Sequence, residues 1–110
     1  MDYQQPPKIQ FVQAVTIPAD AVEVDLSREG PHVRSAVPRH AISAEMRVTI
    51  APASGGLLVY SPAMPGPPLR LKGPVAQVDI PLSGAKIYVA AVDGARAWDF
   101  QVVSWMDDLH

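Results

Sequence analysis

The amino-acid sequence predicts a single all-β domain, an antiparallel β-sandwich of jelly-roll type with about eight or nine short strands. Twelve prolines and seven glycines are scattered along the 110 residues, and they leave no long segment with helical periodicity. The apolar segments are instead short and bounded by Pro, Gly, Asp or Ser. Within several of them apolar and polar side chains alternate, which is the period of a strand with one buried face.

The size and composition fit one domain with a core of its own. Hydrophobic residues make up 48% of the chain, which is enough to form a core. Charged residues make up 18%, a smaller fraction than in an average domain. The absence of cysteine excludes disulfides and thiolate metal sites. We expect residues 1–8 to form an extended arm, because Pro6 and Pro7 cannot join a central sheet, and residues 9–110 to form the sandwich domain.

Residues 41–50 form the clearest predicted strand. Every second position is apolar, namely Ile42, Ala44, Met46, Val48 and Ile50. A helix would move Ala44 and Val48 off that stripe, so the pattern indicates a strand. Further strands are predicted at residues 9–17, 21–26, 57–60, 69–72 and 75–80. Residues 28–39 and 61–68 look irregular, and the second of these segments contains Pro62, Pro65, Pro67 and Pro68.

The last third of the chain predicts a β-hairpin. Residues 86–92 and 97–105 are strand-like and flank Asp93-Gly94, a strong signal for a two-residue type I′ turn. With that turn, two apolar faces coincide: Ile87, Val89 and Ala91 on one strand, and Trp98, Phe100 and Val102 on the other. We therefore expect Trp98 and Phe100 in the core. Tyr88 and Trp105 are expected together on the opposite face.

The net charge and the N-terminal sequence argue against two kinds of partner, nucleic acids and membranes. The formal net charge is −2 and the nine basic residues are not clustered, which argues against nucleic-acid binding. The N-terminus lacks a basic region followed by an apolar stretch, and no apolar run is long enough to suggest a membrane span. We expect a protein made in the cytoplasm, without a signal peptide and without a membrane partner.

Candidate catalytic residues do not form a recognisable motif. His32 and His40 lack a second metal ligand at helical or strand spacing, and His110 lies in a polar tail. Ser35 and His40 do not belong to a nucleophile elbow, and no phosphate-binding or dinucleotide-binding motif is present. Glu23 and Asp25 alternate on a strand as solvated charges do. We expect no enzymatic activity, no metal and no cofactor.

The aromatic side chains give the remaining evidence about function. An exposed Tyr/Trp pair can anchor a protein interface or stack on a sugar ring. The first reading predicts a structural, assembly-type protein. The alternative is a small carbohydrate-binding module, for which Tyr88, Trp105 and Tyr60 are the candidate aromatic side chains.

Residues 81–91 and 98–105 carry a family resemblance. The first run reads Pro-Leu-Ser-Gly-Ala-Lys-Ile-Tyr-Val-Ala-Ala and the second Trp-Asp-Phe-Gln-Val-Val-Ser-Trp. Together they resemble the ending of small β-sandwich virion proteins of tailed bacteriophages, in which a Gly-Xaa-Lys-Ile/Leu-Tyr-Val strand precedes a final strand that ends near Trp. The similar region spans residues 81–105, about a quarter of the chain.

The resemblance implies a decoration (cement) protein, or a related accessory protein of the phage head or tail, located in the virion. Its partners would be further copies of itself, with a trimer favoured, and the major capsid protein or other virion proteins. Such proteins bind neighbouring subunits through loops and a terminal arm. The predicted interface residues are Tyr3, Pro6 and Pro7 in the arm, Pro65, Pro67 and Pro68 in the loop, and Tyr88 and Trp105.

Overall fold

The computed structural model describes residues 17–107, and over that range the only regular elements are strands, which confirms the all-β prediction. The seven strands are β1 (Val22–Asp25), β2 (Ser43–Ala51), β3 (Gly56–Tyr60), β4 (Leu69–Lys72), β5 (Val75–Pro81), β6 (Lys86–Val92) and β7 (Ala97–Met106). They form a four-stranded sheet in the order β1-β6-β3-β4 and a three-stranded sheet in the order β5-β2-β7. All pairs of neighbouring strands are antiparallel.

The strand pairs are nested along the chain. β3 pairs with β4, β2 with β5, and β1 with β6, and most connections cross from one sheet to the other. This is the pattern of a long antiparallel hairpin rolled into two sheets, as in a jelly roll. The number of described strands is seven rather than eight or nine. The strand predicted at residues 9–17 and the arm predicted at residues 1–8 lie outside the described residues, apart from Ile17.

The core lies between the two sheets, on the faces that the alternation predicts. In β2, Ala44, Met46, Val48 and Ile50 are all buried, whereas Ile42 precedes the strand and is 44% exposed. The opposite wall of the core is contributed by the four-stranded sheet through Leu57, Val59, Ile87 and Val89, each fully buried. Trp98 and Phe100 are also buried, as predicted. This face-to-face packing of apolar side chains holds the sandwich together.

The predicted hairpin between β6 and β7 is wrong. The turn itself is present, since Ala95 donates to the carbonyl of Val92 and both Asp93 and Gly94 have positive φ. However, β6 pairs with β1 and β3, and β7 pairs with β2, so the turn carries the chain from one sheet to the other. Ile87 and Val89 of β6 and Trp98 and Phe100 of β7 are buried in the same core, contributed by opposite sheets, whereas Ala91 is exposed. Alternation shows which side of a strand is buried, but it does not identify the hydrogen-bonded neighbour.

Residues 28–37 close the side of the sandwich between β1 and β7. The amide of Phe100 donates to the carbonyl of His32 (2.9 Å), and the amide of Arg34 donates to the carbonyl of Phe100 (2.8 Å). The imidazole of His32 stacks on the indole of Trp98 with ring centroids 3.7 Å apart. Val33 and Val37 are buried in the core. This segment, predicted as irregular, therefore covers part of the free edge of β7 without forming a regular strand.

Candidate functional site

Most of the described interface candidates lie at one end of the sandwich. Ser43 pairs with Met106 of β7 on one side and with Pro81 of β5 on the other. The hydroxyl of the buried Ser61 donates a hydrogen bond to the carbonyl of Pro81, which fixes the start of the proline-rich loop at the same place. We call this region, made of Ile42, residues 61–68 and residues 103–106, the Trp105 end.

The Trp105 end carries most of the exposed apolar side chains. Six large hydrophobic residues are exposed in the described part of the chain, and four of them lie here: Ile42 (44%), Val103 (51%), Trp105 (42%) and Met106 (58%). The other two are Val22 and Val75. Scattered exposed hydrophobic residues are normal on a surface, whereas a concentration of them marks an interaction site.

A β-bulge determines the direction of Trp105. Glu45 pairs with Ser104 but Met46 pairs with Val102, so Val103 is an extra residue in β7. Beyond the bulge, Trp105 lies opposite the buried Ala44, on the same side of the sheet as Trp98 and Phe100. The prediction that Trp105 lies on the other side is therefore wrong. Simple alternation along β7 fails here because the bulge shifts the alternation by one residue.

Trp105 lies beyond the end of the packed core, and among residues 17–107 its ring has one aromatic neighbour. Its indole meets the imidazole of His40 edge to face, with ring centroids 5.7 Å apart and an interplanar angle of 74°. Nδ1 of His40 lies 3.3 Å from Oδ2 of Asp107, so this ring is held from two directions. The neighbouring imidazole holds an otherwise exposed indole in one orientation. A side chain held in this way loses little rotamer freedom when a partner covers it.

Tyr88 is separated from Trp105 and lies next to Tyr60. The two residues lie on different sheets, so the predicted Tyr88/Trp105 pair is not formed. In the four-stranded sheet, Tyr88 is directly opposite Tyr60 on one side and Glu23 on the other, and both tyrosines are half-buried on the outer face. The ammonium of Lys86 lies 3.1 Å from Oε2 of Glu23, and this hydrogen bond raises the pKa of Lys86.

The proline-rich loop presents an exposed tip on an anchored base. Pro65 and Pro67 are exposed and Pro68 is half-buried. At the base, Met64 donates to the carbonyl of Ser61 (2.9 Å), closing a turn. Proline fixes its own φ, so this loop has fewer conformations to lose on binding than other loops of the same length. The remaining interface candidates, Tyr3, Pro6 and Pro7, lie outside the described residues.

The polar residues considered for catalysis have structural contacts. The hydroxyl of Ser35 accepts from the amide of Val102 (2.8 Å), which extends the cover on β7. Glu23 pairs with Lys86, and Asp25 lies within 4 Å of both Arg28 and Arg39. Within residues 17–107, no group of three or more His, Cys, Asp or Glu side chains is arranged to hold a metal ion. The same residues include no helix with the length and hydropathy of a membrane span.

Asp25 gives a prediction for the pH dependence of stability. The hydroxyl and amide of Ser27 donate to its carboxylate, and together with Arg39 and Arg28 they hold its pKa below the ordinary value of 3.8. A depressed pKa contributes stability that is fully present above pH 3.8 and is lost as the pH falls through the lower folded-state pKa. Asp25→Asn should therefore lower the melting temperature at neutral pH, and the difference from wild type should shrink below about pH 3.8.

The measurement is thermal unfolding by circular dichroism at neutral pH and at about pH 2.5. Asp79→Asn is the matched control, because Asp79 is exposed on β5 and we expect no comparable difference. A gap between Asp25→Asn and wild type that widens in acid would contradict the assigned direction.

Comparisons with known proteins give no relative. Neither the protein-family models, nor the curated proteins, nor the solved structures include a match to this chain.

Proposed function

We propose that this protein is a non-enzymatic assembly protein, which binds copies of itself and neighbouring protein subunits through the Trp105 end. The observation that carries the proposal is the concentration of Ile42, Val103, Trp105 and Met106, all more than two-fifths exposed, at one end of a rigid sheet. Burying these side chains against a partner removes apolar surface from water, which is the main favourable term in protein association.

The chemistry of this surface suits a protein partner. Trp and Met are enriched at the centres of protein interfaces, whereas charged residues are depleted there. Trp105 and Met106 are held in place by the pairing of β7 with β2, and the loop at residues 61–68 begins with Ser61, which is hydrogen-bonded to Pro81 at the same end of the sandwich. Such a surface is ordered before binding, so association costs less conformational entropy than it would for a mobile tail.

In its most specific form, the proposal makes the chain a decoration (cement) or accessory protein of a tailed-bacteriophage virion. The support for this form is the resemblance of residues 81–91 and 98–105, which here lie largely in β6 and β7, to the ending of such proteins. The partners would then be the major capsid protein or other virion subunits, and the self-association would favour a trimer. The apolar Trp105 end would face a neighbouring subunit in the particle.

The test is the solution mass of the protein by size-exclusion chromatography with light scattering. We expect a trimer or a larger species for wild type and a shift toward the 11.8 kDa monomer for the double variant Trp105→Ser/Met106→Ser. Val75→Ser is the matched control, because Val75 is 53% exposed but lies at the far end of the sandwich. A multimer that the double variant leaves intact would contradict this interface, and a wild-type monomer at every concentration would contradict self-association.

One observation favours carbohydrate binding as a second candidate function. Tyr60 and Tyr88 are direct cross-strand neighbours on the outer face of the four-stranded sheet, where two adjacent rings can serve as a platform for a sugar. Neither tryptophan lies on that face, so the readout must be calorimetric titration with oligosaccharides rather than tryptophan fluorescence. Heat that disappears in Tyr88→Ala would support this candidate. The absence of heat with wild type across a panel of neutral and acidic oligosaccharides would remove it.

A further inference from the structure

A groove runs along the edge of β1 that faces away from β6. It has a volume of about 270 Å³ and lies between that strand and residues 28–33. Its lining consists of residues 23–25 and 28–33. We call it the β1 groove. It lies on a side of the sandwich and shares no residue with the Trp105 end.

Within residues 17–107, the backbone of β1 pairs with a strand on one side only. The amide of Leu26 donates to the carbonyl of Ala85, and this pair continues the antiparallel register in which Val24 faces Ile87. Hydrogen-bonded and non-hydrogen-bonded pairs alternate along an antiparallel ladder. The N–H and C=O groups of Glu23 and Asp25 therefore point away from β6, and no strand among residues 17–107 lies on that side of β1.

The groove combines an apolar floor with a charged rim. Val24 and Val33 are each only 4% exposed and form the floor. The lining contains three carboxylates but one guanidinium group, that of Arg28. Glu23 and Asp25 already pair with basic side chains, whereas Glu29 is exposed and has no ion-pair partner among the described residues. The carboxylate of Glu29, unpaired within residues 17–107, is therefore the group of the rim that favours a basic side chain of a ligand.

One wall of the groove is rigid. The imidazole of His32 lies flat on Trp98, and its Nδ1 is 3.0 Å from the carbonyl oxygen of Trp98. Val33 exchanges backbone hydrogen bonds with Gly30, which closes the turn that forms the wall. The opposite wall is a strand of the sheet. The groove therefore has one wall fixed by side-chain and backbone contacts and one wall formed by the sheet.

We propose that the β1 groove binds an extended, basic segment of a partner protein, which adds to β1 as a further antiparallel or parallel strand. The peptide backbone exchanges hydrogen bonds with Glu23 and Asp25. In an extended peptide alternate side chains point to opposite sides, so one set lies on the floor formed by Val24 and Val33. The other set carries Lys or Arg toward the carboxylate of Glu29. This site is independent of the self-association proposed at the Trp105 end.

The probe is a fluorescein-labelled peptide of alternating lysine and valine, and its matched control is a peptide of alternating glutamate and valine. Fluorescence polarisation should show binding of the lysine peptide that weakens with salt. Glu29→Lys should weaken binding by about tenfold, because it replaces an attractive charge on the rim with a repulsive one. Asp79→Lys makes the same charge change on the outer face of β5 and should leave binding unchanged.

Two further measurements test the mode of binding. Amide shifts in NMR spectra should be largest for Glu23 and Asp25, and N-methylation of alternate peptide residues should abolish binding. Equal binding of both peptides, no binding of either, or an undiminished affinity of the N-methylated peptide would each overturn the proposal. Concentration-dependent shifts of the same amides without peptide would assign this edge to a second copy of the chain and would also overturn it. The Trp105→Ser/Met106→Ser variant should bind the peptide like wild type, which separates this test from that of the assembly function.

Discussion

Replacing Trp98 with alanine is expected to lower the free energy of unfolding by about 3–5 kcal/mol. The indole is only 9% exposed. It contacts the imidazole of His32 in a stacked arrangement and the ring of Phe100 edge to face, with centroids 5.8 Å apart. Truncation removes these contacts and leaves a cavity that the two sheets can fill only in part, because both are fixed by their hydrogen bonds.

Equilibrium denaturation followed by far-ultraviolet circular dichroism measures this loss. Trp105→Ala is the matched control, since the same side chain is removed from a position that is 42% exposed. It should cost much less in the isolated domain, and its effect should appear in the solution mass instead. If Trp105→Ala destabilised the fold more than Trp98→Ala, the assignment of the two indoles to core and surface would be wrong.

The loss of Trp98 should also affect the β1 groove. Residues 28–33 are held against the sandwich partly by the stacking of His32 on Trp98 and partly by the backbone bonds to Phe100. Without the indole, the wall of the groove loses its main side-chain support. The Trp98 site thus links the stability of the core to the shape of the surface proposed to bind a peptide.

The strands themselves were largely predictable from the sequence. Residues 69–72 and 86–92 match β4 and β6 at both ends, and the alternation in residues 41–50 identifies the buried face of β2. This works because burial of one sheet face imposes a period of two on the side chains of each strand, whichever strand lies beside it. The same pattern predicts Trp98 and Phe100 as core residues.

The pairing of the strands was not predictable from these patterns. β6 and β7 are joined by a turn typical of hairpins, yet their partners are residues far away in the sequence. The bulge at Val103 depends on the register between β2 and β7, and it alone turns Trp105 to the core side. Both features are set by contacts between distant segments, which local propensity does not encode.

The candidate surfaces depend on the same distant contacts. The sequence marks both the proline-rich loop and Trp105 as interface candidates. They lie at the same end of the sandwich because Ser43 pairs with Met106 on one side and with Pro81 on the other. The β1 groove was not predicted, although the alternation of Glu23 and Asp25 marks a polar strand face. Which backbone edge of β1 is unpaired follows only from the strand order of the sheet.

Replacing Gly56 with alanine is expected to destabilise the fold by about 1–3 kcal/mol, the usual cost of overpacking. Gly56 is buried in β3 between Val92 and Lys72 of the flanking strands. A Cβ atom at this position would lie 2.9 Å from the carbonyl oxygen of Leu71 and 3.3 Å from Cγ2 of Val92. Because β3 is hydrogen-bonded on both sides, the strand cannot move away from the backbone oxygen without losing part of its ladder.

Gly30→Ala is the matched control for this prediction, because a Cβ atom there has no neighbouring atom within 4 Å. Its effect should be close to zero or slightly stabilising, since alanine restricts the unfolded chain more than glycine does. Urea denaturation of the two variants isolates the steric effect, because the chemical change is identical. Equal stabilities would mean that the sheet yields at Gly56, and the close approach of β3 to β4 would then not be a constraint on the core.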